Sequence, residues 1–151
     1  MTTISILTAT YNREKLLSRL YKSLKDQADL VLEWIIVDDG SQDHTKQTVQ
    51  NFIEEDIIPI KYVYQTNNGK HYAINRGVNN AKGEYVFIVD SDDALLEGAL
   101  RFIHKNILSI HDDKSIAGIS GRCLTPDGDP IGNFYGQAHT VNALDIRYKH
   151  Q

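Results

Sequence analysis

Four short apolar runs alternate with segments of helical period, and this alternation limits the possible folds more than any other feature of the chain. The runs are Ile4 to Thr8, Trp34-Ile35-Ile36-Val37, Ile60 to Tyr64, and Tyr85-Val86-Phe87-Ile88-Val89. Strands separated by helices of about 10 to 15 residues cannot close as hairpins and instead join a mostly parallel, doubly wound sheet through crossovers. Leu16, Leu17, Leu20 and Leu24 predict a first helix from Glu14 to about Gln27, with Asn12 as its N-cap. Val49, Phe52 and Ile53 mark a second helix, capped by Asp43 or Ser41. Ala73, Ile74, Gly77, Val78 and Ala81 mark a third, ended by Lys82-Gly83. A fourth is expected to start near Leu95 and to turn Leu96, Ala99, Leu100, Ile103, Ile107 and Ile110 inward. Ser115 to Ser120 reads as a fifth strand, and Thr125 to Pro130 as a turn of hairpin type.

A chain of 151 residues fits one domain able to bury roughly 70% of its unfolded surface. A net charge of −4 and scattered Lys and Arg argue against a nucleic-acid partner and against a polybasic membrane patch. The single cysteine, Cys123, excludes an internal disulfide. Met1-Thr2-Thr3-Ile4 enters a strand with no signal-peptide pattern, and no apolar run approaches the roughly 18 residues of a membrane span. The expected setting is the cytoplasm, with the inner face of the membrane as an alternative. Gly136 to Gln151 is weakly patterned, so the chain is expected to stop partway through a larger architecture.

In open parallel sheets, ligands sit outside the carboxyl ends of the strands. The informative residues here fall at those ends. The fourth run, five apolar residues read as buried on both faces, leads into Asp90-Ser91-Asp92-Asp93. Carboxylates this close repel unless a cation neutralises them, and Mg²⁺ or Mn²⁺ commonly bridges carboxylates to phosphates. The plain alternative is a solvated turn with Asp92 or Asp93 as a helix cap. Asp38-Asp39-Gly40-Ser41 reads either as a tight turn or as carboxylates that accept hydrogen bonds from a base N–H or a ribose hydroxyl. In Thr10-Tyr11-Asn12-Arg13, Tyr11 is placed to stack on a base and Arg13 to answer negative charge, with simple capping as the alternative. Asn67-Asn68-Gly69-Lys70-His71 opens the third helix, where backbone N–H groups and Lys70 favour an anion; Arg76, one turn on, has a weaker claim and His71 reads first as structural. Neither a GxxxxGK[ST] phosphate loop nor a G-x-G-x-x-G fingerprint follows the first strand. Asp127 and Asp129 beside Gly128 lack the remaining ligands of a calcium loop.

Taken together, four stretches resemble the family 2 inverting glycosyltransferases of the GT-A fold, a Rossmann-like α/β arrangement. They are Ile4 to Arg13, Ile35 to Asp43, Asn68-Gly69-Lys70 with Ala73 to Gly77, and Gly83 to Asp93. The resemblance implies a nucleotide-sugar donor domain over residues 1–120 and the start of an acceptor-side region over 121–151. It implies that Thr10, Tyr11, Arg13, Asp38, Asp39, Lys70, Asp90 and Ser91 bind the donor nucleotide. Asp90 and Asp92 match the family's Asp-x-Asp motif at a Mn²⁺ or Mg²⁺ ion, Asp92 as direct ligand and Asp90 on the sugar or ribose side. The implied reaction transfers a sugar, from a UDP-sugar by preference, to a hydroxyl of a glycan or lipid-linked acceptor with inversion, in cell-envelope polysaccharide synthesis. Membrane contact is expected only through a C-terminal part beyond this chain. No catalytic base is assigned, because Asp127, Asp129 and Asp145 do not match the family's context for one.

Three other readings stand beside this one. A donor-binding remnant without turnover differs from it by binding nucleotide and metal alone. A receiver-like regulatory domain would carry its acidic pair after the first strand, where this chain has Thr8-Ala9-Thr10. A nucleotidyltransferase would need a glycine-rich basic loop at that same place.

Overall fold

The computed structural model describes residues 3–113, 115–121 and 123–131. By contacts the chain divides into two compact units, residues 1–105 and 106–151. The sheet, the first three helices and the start of the fourth, up to Lys105, belong to the first. Strands β1 (Ile4–Thr10), β2 (Glu33–Asp38), β3 (Ile60–Tyr64) and β4 (Tyr85–Ile88) alternate with helices α1 (Glu14–Lys25), α2 (Thr45–Glu54), α3 (Lys70–Val78) and α4 (Ala99–Ile110). All strand pairs are parallel, in the order β3-β2-β1-β4. The chain therefore winds outward from β1 to β3 and then crosses back to the other side of β1. In open α/β sheets such a reversal marks the place where ligands bind, here at the carboxyl ends of β1 and β4. Thr10 pairs with Asp38, and Asp38 with Tyr64, so the first three turns emerge at one level. The Val89 N–H bonds to the Leu7 carbonyl, which brings Asp90 out close to the same edge.

One face of the sheet is covered by α1 and α2. Leu17, Leu20, Tyr21 and Leu24 of α1 pack with Val49 and Phe52 of α2 on Ile6, Trp34 and Ile36, and Leu100 and Ile103 join the same core. Each fully buried leucine contributes about 1.5–3 kcal/mol, more than the roughly 1 kcal/mol of a good N-cap. Packing of the leucine stripe, more than end chemistry, therefore holds α1 in place. Tyr21 stacks on Phe52 with ring centroids 4.0 Å apart, and the Trp34 indole N–H donates to Thr8 Oγ1 at 3.0 Å. On the other face, α3 lays Ala73 and Ile74 over Leu7, Ile35 and Val37. Gly77 lets this helix approach closely, since a Cβ there would stand 2.1 Å from Leu7 Cδ1.

Several expectations need correction. The strand buried on both faces is β2, all of whose residues are buried; β4 lies at the edge of the described sheet and Ile88 is exposed. Asn12 does not cap α1. It has a left-handed φ of 52°, and its side chain accepts the Gln42 N–H while Asp43 takes the Glu14 N–H. The fourth helix begins at Ala99, so neither Asp92 nor Asp93 caps it. Leu95 and Leu96 have the right periodicity, but their backbone groups bond to Ser23 of α1 and to Gln27 just past its end, and Gly98 adopts a left-handed φ of 75°. No strand forms among the described residues of 115–120. The hairpin-type turn is present: Leu124 bridges Pro130 in antiparallel fashion, and the Thr125 N–H donates to the Asp129 carbonyl. Gly136 to Gln151, with Asp145, lies outside the described residues. No described helix is long and apolar enough to cross a membrane.

Candidate functional site

Four turns meet at the carboxyl edge of the sheet, and side chains bind each to the next. The β1–α1 and β2–α2 turns are joined first. Asn12 N–H donates to Ser41 Oγ at 2.8 Å, Gln42 N–H to Asn12 Oδ1 at 2.8 Å, and Arg13 N–H to Thr45 Oγ1 at 3.1 Å. The helix starts then cap one another: Asp43 accepts the Glu14 N–H at 3.2 Å, and Glu14 accepts the His44 N–H at 3.0 Å. Asp43 also holds the Thr45 N–H. Burial opposes ionisation of Asp43, but the hydrogen bonds from Thr45 and Glu14 outweigh it and hold its carboxyl below the usual range. Free donors at helix starts normally attract anions. In α1 and α2 part of that capacity is spent on Asp43 and Glu14.

Asp38, the last residue of β2, and Asp39, the first residue after it, are both buried and hold different partners. Asp38 closes its own turn by accepting the Ser41 N–H at 2.8 Å, and the Tyr62 hydroxyl donates to its other oxygen at 2.5 Å. Burial, then this bond to a carboxylate, pushes the Tyr62 phenol well above its ordinary pKa. Asp39 reaches the turn before α3. Its Oδ1 accepts from Gln65 Nε2 at 2.7 Å and from Asn68 N at 2.9 Å, and its Oδ2 from Gly69 N at 2.8 Å. Burial raises the Asp39 pKa, but the bonds from Asn68, Gln65 and Gly69, with the charge of His71, bring it below the usual range. A carboxylate offers about four acceptor positions, so three bonds leave Asp39 with one. Gly40 makes this turn possible, with φ of 88° and a missing Cβ that would stand 2.8 Å from Asn67 N.

Lys70, the first residue of α3, continues the chain of contacts. Its Nζ lies 2.7 Å from both Asp90 oxygens. Asp90, Asp92 and Asp93 follow β4, and the Asp92 carbonyl accepts a hydrogen bond from Arg19 of α1. The Asp93 pKa is raised by burial first and then by the charges of Asp90 and Asp92, with Arg19 and Lys70 opposing. Asp39, the Asn68-Gly69 backbone, Lys70, Asp90, Asp92 and Arg19 close a ring that returns through α1 to the first turn.

The residues expected at the donor and the metal lie in or next to these turns. Thr10 is buried, and its Oγ1 is the one buried side-chain polar atom with no hydrogen-bond partner among the described residues. Tyr11 is 44% exposed at the turn, Arg13 is exposed, and Ser91 is buried between exposed Asp92 and half-buried Asp90. His71 is exposed with its ring against Tyr72, and Arg76 lies exposed further along α3. Gln65, Tyr62, Arg19 and the Glu14–Asp43 exchange escaped the sequence reading. Each is a polar residue whose partner lies 24 or more positions away, so no local pattern marks it.

Among the described residues, no three His, Cys, Asp or Glu side chains converge tightly enough to cage a metal ion on their own. A Mg²⁺ or Mn²⁺ ion held by one or two carboxylates and completed by phosphate oxygens and water needs no such cage. The exposed Asp92, with the half-buried Asp90 two residues before it, fits that second kind of site.

The model of the family described as "Glycosyl transferase family 2" matches residues 5–123. A GalNAc(5)-diNAcBac-PP-undecaprenol beta-1,3-glucosyltransferase of Campylobacter jejuni is 36% identical over 126 residues, covering 82% of this chain and 39% of the relative. The poly(ribitol-phosphate) beta-N-acetylglucosaminyltransferase TarS of Staphylococcus aureus is 31% identical over 97% of this chain and 26% of its own length. The chain thus spans well under half of either relative. Among solved structures, S. aureus TarS 1-349 in complex with UDP-GlcNAc superposes with a TM-score of 0.66 at 31% identity, over 73% of this chain and 32% of that one. A mannosyltransferase of Pyrobaculum calidifontis in complex with GDP-Man and Mn²⁺ gives 0.64 at 25% identity, over 75% of this chain and 33% of that one.

Proposed function

This chain belongs to glycosyl transferase family 2, and on that premise we propose that it forms the donor half of an inverting, metal-dependent glycosyltransferase acting in cell-envelope glycan assembly. The observation that supports the reading is the run of hydrogen bonds that ties Asp39 to the α3 turn and Lys70 to Asp90, with the unpartnered Thr10 Oγ1 at the end of β1. The nucleoside takes the β1–β2 side. There Thr10 Oγ1 offers a buried hydroxyl, the one acceptor position left on Asp39 takes a base N–H, and Tyr11 stacks on the ring. The staphylococcal relative's complex with UDP-GlcNAc favours a UDP-sugar as donor.

The diphosphate takes the β4 side. Mn²⁺ or Mg²⁺, held by Asp92 with Asp90, supplies Lewis-acid stabilisation of the departing diphosphate. Lys70 moves from Asp90 to share that charge, which is possible because the pair is more than a third exposed and costs little to open. Ser91 stands buried between the two carboxylates. The acceptor is a glycan or lipid-linked hydroxyl, as the name of the Campylobacter relative suggests. It attacks the anomeric carbon from the face opposite the diphosphate; the bond from that carbon to the diphosphate oxygen breaks, the centre inverts, and the hydroxyl proton passes to a general base outside the donor-site residues.

Calorimetric titration with UDP, with and without Mn²⁺, tests the donor site. The expected result is metal-dependent binding that Asp92→Ala weakens by at least about tenfold, as loss of a direct ligand must exceed the loss of an outer partner. Equal binding by the variant would remove Asp92 from the site. Absence of binding to UDP, GDP and dTDP alike would sink the reading.

A further inference from the structure

We propose that Arg19, Ser23 and Gln27, spaced one helical turn apart along α1 and its immediate extension, are positioning residues that set the path of the loop carrying the Asp90–Asp92 pair. The proposal rests on the donor-site reading above and extends it to residues outside that site. Between β4 and α4, residues 92–98 form neither helix nor strand. Leu95 alone of this stretch packs on the core, while Leu96 is 64% exposed. Apolar burial therefore anchors the loop at one point. The rest of its path is held from α1 and from Gln27 just past that helix.

Arg19 donates to the Asp92 carbonyl at the start of the loop. Ser23 Oγ accepts the Leu95 N–H at 3.0 Å and donates to the Leu20 carbonyl at 2.8 Å, which fixes the rotor. Gln27, buried to 6% exposure, donates through Nε2 to the Leu96 carbonyl and to the Ser23 carbonyl, each at 3.2 Å. Its Oε1 accepts the Leu100 N–H at 3.0 Å. That last bond has a particular consequence. Leu100 is the second residue of α4, and its N–H is one of those a helix start leaves unpaired. The preceding Gly98 has no side chain to cap it, so Gln27 of another element does the capping. The stretch from Arg19 in α1 to Gln27, two residues past the helix end, thus holds both ends of the loop, Asp92 at one and the start of α4 at the other. The carboxylate of Asp92 is presented from a backbone whose position α1 dictates.

The test compares Ser23→Ala, Ser23→Thr, Gln27→Leu and a core control, Val49→Ala, with the parent chain. Without ligand, hydrogen exchange reads the loop: protection at Leu95 falls in Ser23→Ala and returns in Ser23→Thr. With UDP present, the Mn²⁺ concentration for half-saturation rises about tenfold in Ser23→Ala and Gln27→Leu, as expected for partners that orient a metal ligand. Ser23→Thr restores it. Val49→Ala, which lowers the thermal midpoint at least as far as Ser23→Ala does, leaves the Mn²⁺ titration unchanged. An unchanged titration in Ser23→Ala, or an equal shift in Val49→Ala, overturns the positioning role while the donor site stands. Failure of the parent chain to bind UDP with Mn²⁺ overturns the donor-site reading, and the positioning role falls with it.

Discussion

Replacing Asp39 by Asn keeps the size of the side chain and the path of the turn, and it tests what the carboxylate does. In the folded chain Asp39 receives three N–H groups, from Gln65, Asn68 and Gly69, at 2.7, 2.9 and 2.8 Å. An amide oxygen in the Oδ1 position can keep the first two, but the NH₂ then faces the Gly69 N–H, donor against donor. Leaving one buried donor unpaired costs about 1–3 kcal/mol, and turning two charge-assisted bonds into neutral ones costs about 0.5–1 kcal/mol each. The sum is about 2–5 kcal/mol, a large share of the 5–15 kcal/mol that typically holds a domain together. Urea unfolding at pH 7 is expected to show this loss.

The same experiment at lower pH checks the cause. The Asp39 pKa is depressed in the folded chain, where bonds from Asn68, Gln65 and Gly69 outweigh its burial. Its stabilisation is therefore complete above the unfolded-state pKa of about 3.9 and is lost as pH falls through the lower folded value. Asn does not titrate, so the gap between parent and variant should narrow from pH 5 towards pH 2. A gap below about 0.5 kcal/mol at pH 7, within the range of ordinary surface substitutions, would refute the assigned bonds. A gap that stays constant down to pH 2 would refute the charge as their source.

Two further substitutions probe the framework. Asp43→Ala removes the acceptor for both the Glu14 and Thr45 N–H groups; chemical denaturation should show a loss of about 1–2 kcal/mol, with Asp43→Ser recovering part of it. Gly77→Ala places a methyl 2.1 Å from Leu7 Cδ1, so overpacking of about 1–3 kcal/mol should exceed the roughly 1 kcal/mol gained in helix propensity. In a Leu7→Ala background the clash is gone and the same Gly77→Ala change should stabilise, a reversal of sign that a double-mutant cycle reads directly.

Periodicity alone determined a good deal about this protein. The leucines of α1 at helical spacing and the apolar runs of β1 and β2 decide which elements form, because burial of those side chains outweighs every local alternative. The placement of Thr10, Asp38 and Asp90 at strand ends follows from the same pattern, since the runs stop where the polar residues start. Such reasoning failed where a distant side chain competes with a local preference. Leu95 and Leu96 have helical spacing, yet Ser23 and Gln27 hold their backbone out of the helix. Asn12 has capping chemistry, yet its carbonyl oxygen is taken by Gln42, thirty residues away. Tyr85 to Val89 is apolar enough for a central strand, but which strands flank it depends on the order of crossovers, which no local window contains. Chain order sets which residues stand at the strand ends. The three-dimensional winding decides that Asp39 spends three of its acceptor positions on the α3 turn, that Lys70 rests on Asp90, and that α1 and Gln27 carry the loop, because hydrogen bonds between residues twenty to eighty positions apart form only once the sheet has brought them together.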